Sequence, residues 1–278
     1  MNKDKELAIV IPTFNRVETT LSTISALKSG TYKNFKILIC DSCSTDGTIE
    51  KVSKHEEVIV INSGRDSWWT ASVNVGIKKA IELKFKNILI INDDIKFNDN
   101  FLLELYELST INKNFIIGPL QKYGDNYFIG SEYIGIFKFK RNININNLDH
   151  TLKVSTSNGC CLFVPRHIFE EVGFFDEINC PHLAGDVEFQ LRAKRLGFST
   201  MVSPKIVIEQ LPPTNYLEKI KISTILSDYG SPYRLSAYMQ LGKTLYGSDL
   251  KFYILGIFMH IKYTISVIKA VLKKITYR

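Results

Sequence analysis

The sequence lacks two features that would place it outside the cell or across a membrane, a disulfide framework and a long apolar run. Its five cysteines are an odd number, and Met1–Glu6 is polar and leads into an apolar run that is broken at Pro12, which does not fit a secretory segment. The uncharged apolar stretch Phe252–Ile261 has ten residues, whereas a membrane helix needs about 20. We therefore expect a protein that stays in the cytosol.

Acidic residues are scarce in one part of the chain only. Residues 1–215 hold 25 basic and 25 acidic residues, whereas residues 216–278 hold 10 basic and 3 acidic ones, which accounts for the whole net charge of +7. A neutral body argues against a nucleic-acid partner, and a basic, aromatic end favours an anionic surface that is met at that end. Hydrophobic residues make up 45% and charged residues 23%, which excludes disordered, collagen-like and coiled-coil classes.

Cysteine spacing gives only a weak signal. Cys40 and Cys43 form a C-x-x-C pattern after a strand-like run, and such pairs occur in redox and zinc sites. A zinc site needs a second spaced pair, but Cys160 and Cys161 are adjacent. We interpret these cysteines as small buried side chains that flank Asp41, with redox or zinc chemistry as the alternative.

Short runs rich in Ile and Val alternate with helical patterns through the first hundred residues. The runs are nearly continuously apolar, which is typical of parallel strands covered on both faces. The predicted strands are Ala8–Phe14, Phe35–Cys40, Val58–Ile61 and Asn87–Ile91, and the predicted helices between them are Glu18–Lys28 and Ser72–Leu83. This βαβαβ order predicts an α/β fold with an open, doubly wound sheet.

Beyond Asp94 the pattern changes, and we expect the sheet to become mixed. The elements predicted there are the helices Asn98–Ser109 and Val187–Leu196 and the strands Phe115–Gly118, Tyr127–Lys140, Leu152–Pro165, Ser199–Ser203 and Ile206–Ile208. The prolines of Leu211–Pro213 mark the expected boundary between a body, residues 1–215, and a helical C-terminal extension, residues 216–278.

Polar side chains follow all four predicted parallel strands. The segments are Pro12–Arg16, Asp41–Thr48, Asn62–Arg65 and Asn92–Asp94. Ligands of open α/β sheets bind outside the carboxyl ends of the strands. Each segment alone fits ordinary turn chemistry, but together they predict an acidic ligand site at this edge of the sheet.

These segments resemble glycosyltransferase family 2, of the GT-A type. The matching motifs are V-I-P-T-F-N-R at 10–16, D-S-x-S-T-D-G-T at 41–48, N-x-G-I-K-x-A at 74–80, N-D-D at 92–94 and G-D-V-E-F-x-L-R-A-K-R-L-G at 185–197. The segment around Ser67–Ser72 further resembles bacterial cell-surface polysaccharide and rhamnosyltransferase-like members. The resemblance implies a nucleotide-sugar half at about residues 1–97, an acceptor half at about 98–215, and inverting transfer from a UDP- or dTDP-linked sugar to a glycan or polyprenyl-linked acceptor.

The resemblance also implies a role for each candidate site residue. Asp41 would accept the N3–H of uracil or thymine, a bond that suits a buried carboxylate. Asp94 holds the metal-binding place of the family's D-x-D motif, and Mg²⁺ or Mn²⁺ there would neutralise the leaving diphosphate. Asp186 is the candidate general base for the acceptor hydroxyl. The other expected contacts are Pro12, Thr13, Phe14, Asn15, Arg16, Ser44, Arg65, Asn74 and Asp93 for the nucleotide, and Trp68, Trp69, Asn158, Gly159, His182, Glu188 and Arg192 for the sugar or acceptor.

Simpler interpretations stay open for several of these residues. Asp186 and Glu188 begin a helix, where acidic side chains cap the backbone and suit the helix dipole. Arg192 fits a solvated helix charge, and Trp68 and Trp69 fit core packing as well as stacking on a sugar.

The chain departs from the family pattern at three places. Asn92 replaces the first acid of the metal motif, Gly185 replaces the usual Glu before Asp186, and residues 205–210 lack the metal-binding His of many relatives. Glu209 and His182 are the candidate substitutes for that His. The departures leave room for a membrane-associated sugar-nucleotide-binding or scaffold protein without catalysis. A nucleotidyltransferase is the enzymatic alternative, but it would need a Gly-rich phosphate loop where this chain has Pro12–Arg16.

Residues 249–278 have the pattern of an interfacial helix. At about 100° per residue, Lys251, Lys262, Lys269 and Lys273 lie within about 40° of one another, and most of the remaining surface is apolar. Such a helix fits an anionic lipid surface, which predicts peripheral attachment to the inner face of the cell membrane. Packing of this helix on the body or on a second copy, as a homodimer, is the alternative.

Overall fold

The four apolar runs of the N-terminal part form parallel strands, as predicted. They are β1 (Lys5–Thr13), β2 (Phe35–Asp41), β3 (Val58–Asn62) and β4 (Phe85–Ile91), and the helices between them are α1 (Val17–Ser29), α2 (Thr48–Val52) and α3 (Trp69–Glu82). The strands lie in the order β3-β2-β1-β4. The computed structural model describes residues 5–65, 67–124, 126–134, 137–142, 150–182, 184–210 and 235–247, and ten positions between 261 and 276.

Beyond β4 the sheet is mixed, which confirms the predicted fold class. The remaining elements are β5 (Ile95–Phe97), α4 (Phe101–Ile111), β6 (Phe115–Tyr123), β7 (Asn126–Ile134), β8 (Phe137–Asn142), β9 (Leu152–Val154), β10 (Cys161–Pro165), α5 (Arg166–Val172), α6 (Gly185–Arg195), β11 (Ser199–Gln210) and α7 (Leu235–Tyr246). β10 runs antiparallel between β4 and β6, and β11 runs parallel to β6. Because β10 is antiparallel to β4, the start of β10 lies at the same sheet edge as the carboxyl ends of β1, β2 and β4.

The strands are buried on both faces, as their continuous apolar runs predict. Ile9 and Ile11 of β1 belong to one apolar layer, which also contains residues of α1 and α4, whereas Ala8 and Val10 belong to the opposite layer with residues of α3, α5 and α6. All four side chains are fully buried. The sheet is therefore the middle of a three-layer arrangement, and its edges are where polar chemistry can reach solvent.

Helix α3 approaches the sheet closely at Gly76. A Cβ atom built on Gly76 would lie 2.5 Å from Cys40 Sγ and 2.5 Å from Val10 Cγ1, so a larger residue there would push the helix away. Burial raises the pKa of the Cys40 thiol to about 12, which leaves it protonated and unreactive at neutral pH. Cys40 is therefore the small core side chain that we predicted, and all five cysteines are free.

Four predicted strands differ from the observed elements. The segment Tyr127–Lys140 is divided between β7 and β8, and Leu152–Pro165 is divided between β9 and β10 because its middle is a turn in which the Asn158 side chain accepts from Cys160 N. The two short pieces at the end of the body are one strand, β11, whose pairing register shifts between Ser203 and Val207 around Pro204, a residue without a backbone N–H. Sequence reasoning assigned no element to α2, α5 or β5.

The C-terminal extension contains a helix that packs on the body. Helix α7 contacts α6, and Ser236 Oγ donates to Asn179 O at 3.0 Å. Among the described residues, no helix is both long and apolar enough to cross a bilayer. The predicted boundary at Leu211–Pro213 and the apolar stretch at 252–260 lie outside the described residues.

Candidate active site

Asp41 is the last residue of β2, and only one of its two carboxylate oxygens has a hydrogen-bond donor among the described residues. The residue is 1% exposed, and its Oδ2 accepts a hydrogen bond from Ser44 N at 2.9 Å. No donor among the described residues reaches the buried Oδ1. A buried carboxylate oxygen without a partner is costly and rare, so Oδ1 is where a donor from a ligand would fit.

The loops after β1 and β2 brace each other beside Asp41. Asn15 N donates to Ser44 Oγ at 2.8 Å, and Thr45 N donates to Asn15 Oδ1 at 2.7 Å. Asn15 has a φ of 51°, a left-handed conformation that Asn tolerates better than most residues. Phe14, by contrast, is 56% exposed at the rim. The two loops are thus held together by hydrogen bonds, and the exposed Phe14 ring lies at the end of β1 beside them.

Asp93 and Asp94 follow β4 and differ in how they are held. The Asp93 side chain is almost fully buried; its Oδ2 accepts from Thr20 Oγ1 at 2.9 Å, and its Oδ1 lies 3.2 Å from Arg16 Nη1. Asp94 Oδ2 lies 3.6 Å from Arg16 Nη2, and no donor among the described residues reaches its buried Oδ1. Burial raises the pKa of Asp93, while the Arg16 guanidinium and the Thr20 hydroxyl oppose that rise. Asp93 is firmly anchored, whereas Asp94 keeps unused binding capacity.

Asn92, the residue in place of the family's first acid, holds a tryptophan. Its Oδ1 accepts from Trp69 Nε1 at 2.8 Å, and its backbone N donates to Cys160 O at 2.9 Å. The Trp69 ring lies 5.6 Å from the Phe175 ring, and the neighbouring Trp68 ring lies 5.2 Å from His182. Trp69 is therefore partly committed to packing, while Trp68 pairs with the exposed His182.

Asp186, in the first turn of α6, is fixed against the turn before β10. Its Oδ2 accepts from Gly159 N at 2.7 Å. Gln190, one helical turn further, accepts from Ser157 N and donates to Ser157 O and Asp186 O. A Cβ on Gly159 would lie 2.5 Å from Asp186 Cβ, so only glycine lets the turn come this close. The turn and the helix thus hold the carboxylate from two sides.

The charges of Asp94 and Asp186 act on the same buried group. Burial is the main cause of the raised pKa of the Cys160 thiol, and the carboxylates of Asp94 and Asp186 both add to it. The metal candidate and the base candidate therefore both lie near the start of β10. Asp41, Asp94 and Asp186 all lie at one edge of the sheet, because the carboxyl ends of β2 and β4 and the start of β10 meet there.

Gly185, the residue before Asp186, lies where there is little room for a side chain. A Cβ on Gly185 would lie 2.8 Å from Thr70 Oγ1 and 3.1 Å from Cys180 O. Thr70 holds this loop on α3, since its backbone N donates to Pro181 O and its hydroxyl donates to Cys180 O. The glutamate of the usual family pattern would not fit against Thr70 without a shift of the loop.

Three predicted site residues, Asn74, Glu188 and Arg192, make their contacts inside the protein. Asn74 is 1% exposed and bonds Phe175 and Glu177, which fixes the loop before α6. Glu188 is fully buried and pairs with Arg192, whose Nη2 lies 3.0 Å from Glu188 Oε2. These side chains contact the 172–177 segment and α7. The spacing of polar residues on a helix does not predict which neighbouring element each of them contacts.

The remaining predicted residues lie at the strand ends. Pro12 and Thr13 end β1 in register with Cys40 and Asp41, and Arg65 is exposed after β3. Glu209 is exposed on β11. Within the described residues, no three His, Cys, Asp or Glu side chains cluster closely enough to enclose a metal ion. Neither Glu209 nor His182 therefore forms such a cluster with Asp93 and Asp94.

Two polar residues of the site, Gln121 and Tyr133, were missed from the sequence. Gln121 of β6 is 1% exposed, bonds Cys160 Sγ, and accepts from Asn158 Nδ2 at 3.1 Å. Burial, with the nearby charge of Asp186, raises the pKa of Tyr133 on β7. A single glutamine inside an apolar strand is the kind of signal that would have found Gln121. No comparable signal marks Tyr133.

The family and the fold follow from comparison with known proteins. The model of the family described as "Glycosyl transferase family 2" matches residues 8–173. A hexosyltransferase of low-salt glycan biosynthesis, Agl10 of Haloferax volcanii, is 23% identical over 158 residues, 55% of this chain and 51% of that protein. WfaP of Escherichia coli, a UDP-Glc:α-D-GlcNAc-diphosphoundecaprenol β-1,3-glucosyltransferase, is 36% identical over 55 residues, 20% of this chain and 22% of that protein.

Solved structures show the same fold. S. aureus TarS 1–349 in complex with UDP-GlcNAc has a TM-score of 0.64 at 14% identity, covering 90% of this chain and 69% of that one. GalNAc-T7 with UDP, GalNAc and Mn²⁺ has a TM-score of 0.66 at 12% identity, covering 88% and 48%. The chain spans about half, or less, of the length of the curated relatives that it matches first. With the matched family model covering more than half of its residues, the chain belongs to glycosyl transferase family 2.

Proposed function

We propose that this chain is an inverting glycosyltransferase that moves a sugar from a UDP- or dTDP-linked donor to a hydroxyl of a glycan or lipid-linked acceptor, in the synthesis of a bacterial surface polysaccharide. The observation that carries the proposal is the unpaired, buried Oδ1 of Asp41 at the sheet edge that also holds Asp94 and Asp186. The relative WfaP is a UDP-Glc-dependent glucosyltransferase, and the structural neighbour TarS was solved in complex with UDP-GlcNAc, which supports this donor class.

The nucleotide is bound at the ends of β1 and β2. Asp41 Oδ1 accepts the N3–H of a uracil or thymine, which satisfies a buried carboxylate oxygen that no donor among the described residues reaches. Phe14 offers an exposed ring beside it, and Pro12, Thr13, Asn15 and Ser44 shape the floor. Cytosine has no N3–H at neutral pH, so this oxygen selects against it.

The diphosphate is bound between the cationic groups of Arg16 and Arg65 and the carboxylates of Asp93 and Asp94. The unpartnered Oδ1 of Asp94 fits one ligand position of Mg²⁺ or Mn²⁺. Such ions are commonly held by one or two carboxylates plus substrate phosphates, which agrees with the lack of a three-residue metal cluster among the described side chains. A metal held there supplies charge neutralisation for the diphosphate leaving group.

Asp186 is the general base. It takes the proton of the acceptor hydroxyl while that oxygen attacks C1 of the donor sugar, and the bond from C1 to the diphosphate breaks on the opposite face, so the anomeric configuration inverts. The hydrogen bond from Gly159 N fixes the carboxylate for this step. Trp68, Trp69, Asn158 and His182 line the sugar or acceptor side, while Asn74, Glu188 and Arg192 position the loop and the helix around it.

The C-terminal end brings the enzyme to its lipid-linked acceptor. Ile261, Ile265, Ile268, Leu272 and Ile275 are all between 46% and 57% exposed, and their alternating spacing of four and three residues places them on one side of a helix. All six Lys and Arg charges of residues 250–278 lack an acidic counterpart in that stretch. A second copy would meet like charges, whereas an anionic bilayer complements them, so we propose peripheral membrane attachment.

The first experiment is calorimetric binding of UDP and dTDP, each with and without Mn²⁺, to the wild-type protein, Asp94→Asn and Asp186→Asn. We expect one nucleotide to bind with metal dependence, the metal dependence to be lost in Asp94→Asn, and Asp186→Asn to bind like the wild type. Transfer by Asp186→Asn should fall by about 10²–10⁴, the usual contribution of a general base. Wild-type transfer in that variant, or metal-free binding that is equal in all three proteins, would contradict the proposal.

A further inference from the structure

We propose that Arg16 acts as the resident cation of the Asp93–Asp94 pair and makes binding of the divalent metal conditional on the donor diphosphate. The inference rests on the proposed function of this site and concerns the order in which its ligands assemble. The guanidinium bridges both carboxylates, with Nη1 3.2 Å from Asp93 Oδ1 and Nη2 3.6 Å from Asp94 Oδ2.

The two aspartates share Arg16 unequally. Asp93 receives the shorter contact and is further held by the Thr20 hydroxyl at 2.9 Å and the Thr19 hydroxyl at 3.4 Å, while Thr23 Oγ1 donates to its backbone O at 3.1 Å. Asp94 has the longer contact and a buried Oδ1 that no described donor reaches. Arg16 is therefore anchored on Asp93, and Asp94 is the partner that it can release.

Charge makes the release depend on the substrate. One guanidinium beside two carboxylates leaves one negative charge, and a divalent ion that enters alone is repelled by Arg16 at close range. The diphosphate of the donor adds negative charge to the site. With the diphosphate bound, the positive charges of the metal and of Arg16 are both neutralised. Arg16 is partly exposed, with 34% of its side chain open to solvent, and has further N–H groups to donate to phosphate oxygens.

The planar fork of arginine suits this role better than a point charge. Its two terminal nitrogens reach two different carboxylates. A lysine would neutralise one aspartate at a time. The side chain thus serves as a positioning residue for Asp94 before the donor arrives and as a phosphate contact afterwards.

The test is a titration of Mn²⁺, followed by the electron paramagnetic resonance signal of the free ion, with and without UDP and dTDP. We expect the wild-type protein to bind Mn²⁺ at least about 100-fold more tightly with its nucleotide than without it. In Arg16→Met we expect binding without nucleotide to strengthen about tenfold or more, because the repelling charge is gone. Arg16→Lys, which keeps the charge, should stay near the wild type without nucleotide.

Arg166→Met is the matched control. Arg166 has a similarly exposed side chain, 32%, and pairs with one acid, Glu170, at the opposite end of β10. This variant should bind Mn²⁺ like the wild type, and circular dichroism checks the fold of all variants. Equal Mn²⁺ affinity with and without nucleotide in the wild type, or an unchanged nucleotide-free affinity in Arg16→Met, would overturn the role of Arg16 and leave the metal site standing. Failure of Mn²⁺ to bind even with nucleotide would remove the metal from the proposed function and this inference with it.

Discussion

Replacing Gly159 by alanine tests the link between the turn before β10 and the base. The new Cβ would lie 2.5 Å from Asp186 Cβ, 2.7 Å from Cγ and 2.7 Å from Oδ2. Ordinary carbon contacts are about 3.5–4.0 Å, so the turn and the carboxylate must separate by about 1 Å. A misplacement of about 1 Å at a reacting group can lower a rate by about 10²-fold, or about 2.7 kcal/mol of transition-state stabilisation.

The assay compares transfer rate with nucleotide binding in the same preparations. We expect Gly159→Ala to lose about 10²-fold in kcat while its affinity for the nucleotide stays within about twofold, because Asp41 is untouched. Gly76→Ala is the matched control, since its Cβ would be equally crowded, 2.5 Å from Cys40 Sγ, but in the core. That variant should lose about 1–3 kcal/mol of stability with a smaller effect on kcat. A Gly159→Ala protein with wild-type kcat would refute the proposed placement of Asp186.

Two further predictions concern the C-terminal extension. Thr244→Val removes the hydroxyl that donates to the buried Glu188 Oε1 at 2.9 Å, and should lower the free energy of unfolding by about 1–3 kcal/mol, measured by urea denaturation; an unchanged midpoint would contradict the buried contact. Ile268→Glu should weaken sedimentation with phosphatidylserine-containing vesicles by about tenfold or more, whereas Ile111→Glu, at a residue 82% exposed on α4, should leave it unchanged. Equal loss in both variants would argue against a specific lipid-binding face.

The N-terminal half of the fold was predictable because its strands are buried on both faces. A continuous apolar run between polar turns leaves few other structures open, and the four predicted strands agree with β1 to β4 within three residues at each end. The later strands were less predictable. Ser155–Asn158 are polar but mostly buried, so the sequence did not show that Leu152–Pro165 turns in the middle. Buried hydrogen bonds such as Ser157 N to Gln190 Oε1 have no sequence signal.

The candidate site was predictable where chain topology alone places a residue. Asp41 and Asp94 follow parallel strands, and parallel strands end at one edge, so their proximity follows from the alternation of strands and helices. Side chains on helices were harder to assign, because each turn offers several faces. Glu188 and Arg192 are one turn apart and bond each other, which the i, i+4 spacing permits but does not require.

Two of the three departures from the family pattern have structural causes that do not require a loss of catalysis. Asn92 uses its amide oxygen to hold Trp69, and Gly185 leaves room for Thr70 and the carbonyl of Cys180. Neither change touches Asp94 or Asp186. The turn before β10 holds Asp186 by a hydrogen bond of 2.7 Å between Gly159 N and Asp186 Oδ2. The scaffold alternative is separated from an active enzyme by the transfer assay on Asp186→Asn.

The C-terminal extension packs on α6, the helix that carries the proposed base, Asp186. Thr244 of α7 donates to Glu188, Arg195 of α6 donates to Thr244 O at 3.0 Å, and Ser236 donates to Asn179 O in the loop before Asp186. Helix α7 lies in the basic C-terminal extension, beyond the predicted boundary, and still packs on α6. The change in charge along the chain therefore does not mark the end of the packed body. If residues 249–278 bind a bilayer as we propose, α7 precedes that segment in the chain and packs on α6, the helix that carries the proposed base Asp186.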